Sequence, residues 1–370
     1  MKALFLIFHG FNDANGISKK IQYQVQALKD NGLETHLCYL YEDQGNKQRI
    51  VDEEIIADYG DGIKGKIYKR LEYQSIVRYA LEHHIDFVYM RSNHNANPFT
   101  IRMLKQLKKA GIRVVMEIPT YPYDQEYVSP FMKTELFIDR CFRKTMAGYL
   151  DRIITFSEYE TIFGIPTIQI SNGIDFDAIP LKRNLNDTTH TLHLLGVAEI
   201  HYWHGYDRLI QGLANYYAQN PSYKVYFHLA GNLSGKRESD KIIPVIQKYR
   251  LEPYVIFHGA LYGEELNTLF EQCDLGIGSL GRHRSGITNI KTLKNREYAA
   301  RGIPFIYSEI DTDFENMPYI LKVPADDSPI DIQTIIDFHK TVTESSAEIR
   351  SSIYHLSWKE QMQKILKAIS

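Results

Sequence analysis

Cysteine is scarce in this sequence. Cys38, Cys141 and Cys273 are the three among 370 residues, and no CxxC occurs. That excludes a disulfide scaffold and a cysteine-rich zinc site, and it suits a reducing cytoplasm. An excess of one charge is also missing. Lys plus Arg number 43 against 45 for Asp plus Glu, a formal charge of −2, so no basic balance points to a nucleic-acid partner. No apolar run approaches the roughly 18 residues of a membrane span. The opening Met-Lys-Ala-Leu-Phe-Leu-Ile-Phe is too short an apolar run for a secretory signal and reads as a first strand. GxGxxG, a Walker A loop and GxSxG are all absent. His201/His204 and His83-His84 lack a third ligand at useful spacing, so zinc is not expected. Tryptophan is limited to two residues, and the aromatic content is carried mostly by 26 tyrosines. These serve either as sugar platforms or as half-buried packing with a wet hydroxyl.

What is present is an ordinary globular composition, 44% hydrophobic and 24% charged, long enough for two or three domains at roughly 150 residues each. Strand-like and helix-like segments alternate, the pattern of an α/β protein with parallel sheets. Ala3 to Phe8 is an uninterrupted apolar run, as in a strand buried on both faces. Ile21, Val25 and Leu28 then recur at helical spacing, and Gly32 marks the helix end. Strands are expected near 35–40, 87–90, 113–118 and 152–156, with helices near 67–83, 100–110 and 133–150. Residues 176–187 have no apolar period and read as a linker. The alternation restarts with strands near 191–196, 225–230, 255–258, 275–279 and 305–307. Helices are expected near 206–217, 239–249, 263–272 and 292–301. Two Rossmann-like halves with a ligand cleft follow from this order, since ligands bind beyond the C-terminal ends of such strands.

The most informative stretch runs from Ser279 to Ser308. A loop with Arg282, His283, Arg284 and Gly286 opens onto a helix, and a cationic glycine loop at a helix start is an anion-binding device. Lys294 and Glu297 lie three apart on one face of that helix. They either hold a diphosphate and ribose hydroxyls or form a solvated pair. The first βα loop, His9 to Lys20, has Gly10 and Gly16, which let backbone approach a ligand closely or make an ordinary tight connection. Asp175/Asp177 and Asp311/Asp313 are DxD pairs, able to hold Mg²⁺ or Mn²⁺ and equally at home in turns. Glu117 ends a strand beside the rigid Pro119-Thr-Tyr-Pro122 turn. Residues 131–150 interleave apolar groups with Lys133, Arg140, Arg143 and Lys144. They suit either an amphipathic helix on an anionic membrane or a core-packed helix with a basic outer face.

These segments together resemble the retaining glycosyltransferases of the GT-B fold, in the family-4 class that builds cell-surface polysaccharides. Ser171-Asn-Gly-Ile-Asp175 resembles the turn closing the N-terminal domain, and His204-Gly-Tyr-Asp-Arg-Leu-Ile210 the opening of the C-terminal domain's first helix. Phe257-His-Gly259, Glu264-Glu-Leu266 and Cys273 to Ser279 follow in family order. Lys294-Asn-Arg-Glu297-Tyr-Ala-Ala-Arg-Gly302-Ile-Pro304 resembles the helix that grips the donor. Gly-Ile-Ser-Lys-Lys, Glu117 to Tyr123 and Lys-Asn-Arg-Glu-Tyr are most similar to a capsule and exopolysaccharide subgroup.

The resemblance implies an N-terminal acceptor domain over residues 1–180, to which a helix near 347–370 returns. It implies a nucleotide-sugar domain over 188–346. It implies transfer of a sugar, without metal or cofactor, from a nucleotide-diphosphate donor to a saccharide or polyprenol-linked acceptor, at the cytoplasmic face of a membrane touched peripherally. Glu297 is implied to bind the ribose, and Asn289 stands where the family has a first glutamate. Gly16 matches the glycine whose backbone lies against the donor phosphates. The family's arginine and lysine for the diphosphate fall on Glu199 and His204. Arg284 and Lys294, with His204, are therefore expected to supply the charge. Glu117 is expected near the reacting sugar. A nucleotide-sugar epimerase on the same fold, or a weakly active sugar-nucleotide-binding scaffold, are the alternatives.

Overall fold

The computed structural model describes residues 1–11, 16–93, 96–124, 127, 129–183, 186–233 and 235–369. The chain divides into two compact units, Met1–Ser171 with Trp358–Ser370, and Asn172–Ser357.

The first unit contains the strands β1 (Lys2–Leu6), β2 (Glu34–Asp43), β3 (Asn46–Val51), β4 (Glu54–Gly60), β5 (Phe87–Arg91), β6 (Arg113–Ile118), β7 (Arg152–Thr155), β8 (Thr161–Ile162) and β9 (Ile165–Gln169). Among the described residues they form one sheet in the order β4-β3-β2-β1-β5-β6-β7-β9-β8. The run from β2 through β1, β5, β6 and β7 to β9 is parallel. Its helices are α1 (Gly16–Asp30), α2 (Gly62–Leu71), α3 (Gln74–Glu82), α4 (Pro98–Lys109) and α5 (Pro130–Ala147). Every residue of β5 is buried, which is why that strand reads as continuous apolar sequence. Local chemistry starts two of the helices. The Asn97 side chain accepts from the Phe99 and Thr100 amides ahead of Pro98, and Ser129 caps α5 ahead of Pro130.

Two expectations are corrected here, and one hairpin is added. The helix expected over 67–83 is two, because the Glu72 carboxylate accepts from the Ser75 amide at 2.8 Å and so closes the start of α3. Ahead of it lies an antiparallel β3–β4 hairpin turning at Asp52, with φ of 52°. Its polar sequence conceals a fully buried Arg49, whose Nε donates to the Tyr59 hydroxyl at 2.9 Å. The stretch read as a linker is fastened down. Lys182 Nζ donates to the Glu271 and Cys273 carbonyls at 2.6 and 2.8 Å.

The second unit contains β10 (Thr191–Val197), β11 (Lys224–Ala230), β12 (Val255–Gly259), β13 (Leu275–Ile277), β14 (Phe305–Tyr307) and β15 (Ile320–Lys322). They pair in parallel in the order β12-β11-β10-β13-β14-β15. The helices are α6 (Tyr206–Tyr217), α7 (Lys236–Tyr249), α8 (Gly263–Gln272), α9 (Leu293–Arg301), α10 (Ile332–Thr341) and α11 (Ser346–Ser352). The order reverses between β10 and β13, and their C-terminal ends form the switch point where such sheets bind ligands.

The expected terminal helix is interrupted. A Ser345/Glu348 capping box starts α11, which stays in the second unit. The chain rejoins the first unit only with α12 (Trp358–Ile369). There Trp358, Met362 and Ile365 pack on Ile21 and Leu28 of α1. The Ser171 amide donates to Gln361 Oε1 at 2.9 Å. Among the described residues no helix is long and apolar enough to cross a membrane.

Candidate active site

At the switch point of the second unit, the loops after β10 and β13 lie on one another. The Leu280 and Gly281 amides donate to the His204 and Trp203 carbonyls at 2.8 and 3.2 Å. Gly205 makes this possible with φ of 64°, since a Cβ there would come within 2.6 Å of Gly281 N. The loop pair therefore requires glycine at this position.

His204 is buried in this loop, and its Nδ1 accepts from the His201 amide at 3.0 Å. Burial pushes its pKa well below the ordinary value, and the charges of Lys294 and Arg282 push the same way. The imidazole is therefore neutral, with its proton on Nε2 by the hydrogen bond at Nδ1. Lys294, in the first turn of α9, is half-buried with Nζ 3.5 Å from the Tyr206 hydroxyl. Burial lowers its pKa, and the charge of Glu309 opposes that. Glu309 follows β14 and is buried, both carboxylate oxygens having no hydrogen-bond partner among the described residues. Burial raises its pKa. Lys294, His204 and Glu309 are thus drawn together around one end of the sheet.

The other expected residues are placed differently. Arg284 donates to Asp207 at 2.7 and 3.0 Å, to Asp327 at 2.6 Å and to the Tyr202 carbonyl at 3.0 Å. Its guanidinium is committed to protein oxygens, and it fastens the basic loop rather than presenting charge. Glu297 is half-buried and receives Arg301, one turn on, at 2.9 Å. Asn289 is exposed on an extended segment that bridges to Ile310. The DxD pairs are engaged as well. Asp175 Oδ1 accepts from the Asp177 and Ala178 amides at 3.0 and 3.3 Å. Asp311 takes Arg296 bidentately at 2.7 and 3.0 Å, and Asp313 is paired with Arg296 and Lys291.

In the first unit, Glu117 at the end of β6 is completely buried. It accepts from the Tyr89 hydroxyl at 2.6 Å and Gln24 Nε2 at 2.7 Å, pairs with Lys20 at 3.3 Å, and takes an Arg91 hydrogen bond. Burial would raise its pKa, but Lys20 and Arg91 outweigh that and hold it at about 2. It is an ionised carboxylate enclosed by its partners, not an open acid. Gly16 is the first residue of α1, and residues 12–15 of its loop lie outside the described residues.

Arg91 and Glu309 escaped the sequence reading, which gave Lys20 a place in the first helical turn but no partner. A usable signal existed for both: a charged residue at or just past the C-terminal end of an apolar strand, where Glu117 also stands. Lys20 follows from no such rule, because one lysine in an amphipathic helix is commonplace.

No protein-family model matches the sequence, and no curated protein matches it in sequence. Solved structures do match. Sucrose-phosphate synthase from Thermosynechococcus elongatus is 15% identical with a TM-score of 0.64, covering 100% of this chain and 98% of that one. A glycosyltransferase from Rickettsia africae is 13% identical with a TM-score of 0.60, covering 99% and 97%. Anabaena HepE in complex with UDP-glucose is 15% identical with a TM-score of 0.59, covering 100% and 99%. At these identities the likeness is one of fold: two α/β domains with largely parallel sheets, arranged in sequence as in GT-B glycosyltransferases.

Proposed function

We propose that this chain is a retaining, hexosyltransferase-type glycosyltransferase of the family-4 class. It would move a sugar from a nucleotide-diphosphate donor to a lipid-linked saccharide in capsule or exopolysaccharide synthesis, at a membrane it touches peripherally. The observation that carries the reading is Lys294, half-buried in the first turn of α9 beside neutral His204 and buried Glu309. A diphosphate leaving group needs positive charge and hydrogen-bond donors in a water-poor site. Lys294 Nζ would supply the charge, and His204 Nε2–H a donor that adds none. The Glu309 carboxylate would keep Lys294 protonated until the diphosphate arrives.

Glu297 would take the ribose hydroxyls, exchanging its contact with Arg301 for them. Asn289 would offer an amide to the sugar, able both to donate and to accept. Arg284 and Glu117 act in this reading as positioning residues. The engagement of Asp311 and Asp313 with Arg296 and Lys291 supports chemistry without a resident metal. Likeness to a HepE structure holding UDP-glucose supports a nucleotide-sugar donor.

The test is a panel of UDP-, GDP-, ADP- and TDP-sugars. One of them should raise the melting temperature, as a ligand that binds the folded state must. Lys294→Ala should abolish that rise, and NMR of the product should show a retained anomeric configuration. An inverted product would overturn the retaining assignment.

A further inference from the structure

A diphosphate brings more than one negative charge. Lys294 supplies one positive charge, and His204, being neutral, adds none. Four further cations of the same stretch hold carboxylates. Arg284 and Lys291 pair with Asp207 and Asp313 at 2.7 and 3.3 Å, and Arg296 and Arg301 with Asp311 and Glu297 at 2.7 and 2.9 Å.

Arg282 is placed differently. It opens the single turn Arg282–Ser285 that follows β13. Gly281 precedes it, with its amide on the Trp203 carbonyl at 3.2 Å. The two loops lie so close that a Cβ on Gly281 would stand 3.0 Å from the Tyr202 carbonyl oxygen. The turn is closed by the Arg284 amide on the Gly281 carbonyl at 3.0 Å and by Ser285 Oγ on the Arg282 carbonyl at 2.8 Å. Its backbone is thus fixed before any ligand binds.

The side chain is directed as well. The Arg282 guanidinium lies over the Trp203 ring, 5.5 Å from its centre. Trp203 is itself stacked on His201, with ring centres 4.4 Å apart and planes 28° from parallel. A guanidinium on an aromatic face keeps both its charge and its planar N–H fork, which matches paired phosphate oxygens. Trp203 therefore steadies the arginine without neutralising it. Burial is the largest influence on the titration of His204, Lys294 and Glu309, and the Arg282 charge acts on all three. A guanidinium that bears on all of them stands among them. The Ser279 hydroxyl, at the end of β13, is buried with no hydrogen-bond partner among the described residues. An unmade hydrogen bond of that kind calls for a partner, which a phosphate or sugar oxygen at the switch point would supply.

We propose that Arg282 is the second cation of the donor diphosphate, and that Trp203 is the positioning residue that aims it. Arg282 from the loop after β13 and Lys294 from α9 then share the leaving group between two separately anchored elements. This rests on the transferase reading and deepens it, by naming a donor ligand that reading leaves out. It also accounts for Glu199, which stands where the resemblance implies an arginine, since the charge comes from the adjoining loop.

The test is calorimetry of the full chain with UDP and pyrophosphate, and with uridine followed by its displacement of UDP. Arg282→Ala should weaken UDP and pyrophosphate about tenfold or more, as loss of a charge-assisted hydrogen bond does, and leave uridine at its wild-type affinity. Trp203→Ala keeps the carbonyl that holds Gly281. It should weaken both diphosphates by less, and cost nothing more once Arg282 is alanine. Additive losses in the double variant would overturn the positioning role of Trp203. Equal losses for all three ligands would make Arg282 a prop of the loop and overturn its role as a ligand. Wild-type affinity for both diphosphates in Arg282→Ala sinks this proposal alone. If the unaltered chain binds neither UDP nor pyrophosphate, the transferase reading falls with it.

Discussion

Arg284 holds Asp207 through two parallel hydrogen bonds, 2.7 and 3.0 Å long. The basic loop after β13 is thereby fastened to the first turn of α6. Such fork-to-carboxylate pairing is directional and charge-assisted, so the loop's shape depends on it. Arg284→Ala should cost about 1–2 kcal/mol in urea unfolding, since Asp207 and Asp327 are partly open to solvent. Donor affinity should fall only as the loop loosens, and Arg284→Lys should restore part of both. Lost donor binding with unchanged stability would instead make Arg284 a direct ligand of the diphosphate.

Glu117 makes the opposite prediction for a residue singled out on similar grounds. Removing it leaves Lys20 and Arg91 as facing buried cations, and breaking a buried pair typically costs ~3–5 kcal/mol. Glu117→Ala should therefore lower stability strongly, measurable as a drop in urea midpoint. The sign of its pH dependence follows from the depressed pKa. The ionised form is favoured in the folded state, so its contribution is complete above the ordinary glutamate pKa. It is lost as pH falls from about 4.5 towards about 2.

For Lys294 the readout is donor binding. Burial lowers its pKa, so its charge should be lost at a lower pH than that of an ordinary lysine. Affinity for the nucleoside diphosphate should weaken as pH rises through about 7. Glu309→Gln removes the carboxylate that opposes this deprotonation and should move the loss to lower pH. Lys294→Ala should abolish the dependence altogether. Glu297→Ala should weaken donors while sparing free pyrophosphate, if its contact is with ribose. Titrations of UDP and pyrophosphate across this pH range separate these outcomes.

A chain of three histidines sets the acid sensitivity of the second unit. His228 lies between His193 and His258, with nitrogen separations of 2.9 and 3.0 Å. Each contact needs one donor and one acceptor, so at most one of the three rings can carry a second proton while the row stays intact. Burial, followed by the neighbouring rings, holds the His228 pKa down at about 4. The unfolded chain binds a proton here first, so stability should fall as pH drops from about 6.5 to about 4, on the order of 2–3 kcal/mol. His228→Phe should flatten that slope in urea unfolding measured at both ends of the range.

The alternation of strands and helices was legible in the sequence for a physical reason. Parallel strands covered on both faces must be apolar throughout, so β1, β5 and β6 announce themselves, and helices between them show their period. Gly302 is legible likewise, because α9 ends on a residue with φ of 73°. Lys294 and His204, singled out in the sequence, both lie beside Tyr206. The β3–β4 hairpin was not legible, since its buried Arg49 looks like a surface residue until Tyr59 is seen beside it.

Charge partnership is what tertiary structure alone decided. Arg284 meets Asp207 and Asp327, and Glu117 meets Lys20 and Arg91, across long stretches of chain that no local period connects. A sequence displays which residues carry charge. Whether that charge faces a ligand or a neighbouring carboxylate depends on what folding places within a few ångströms of it, and how little water remains there.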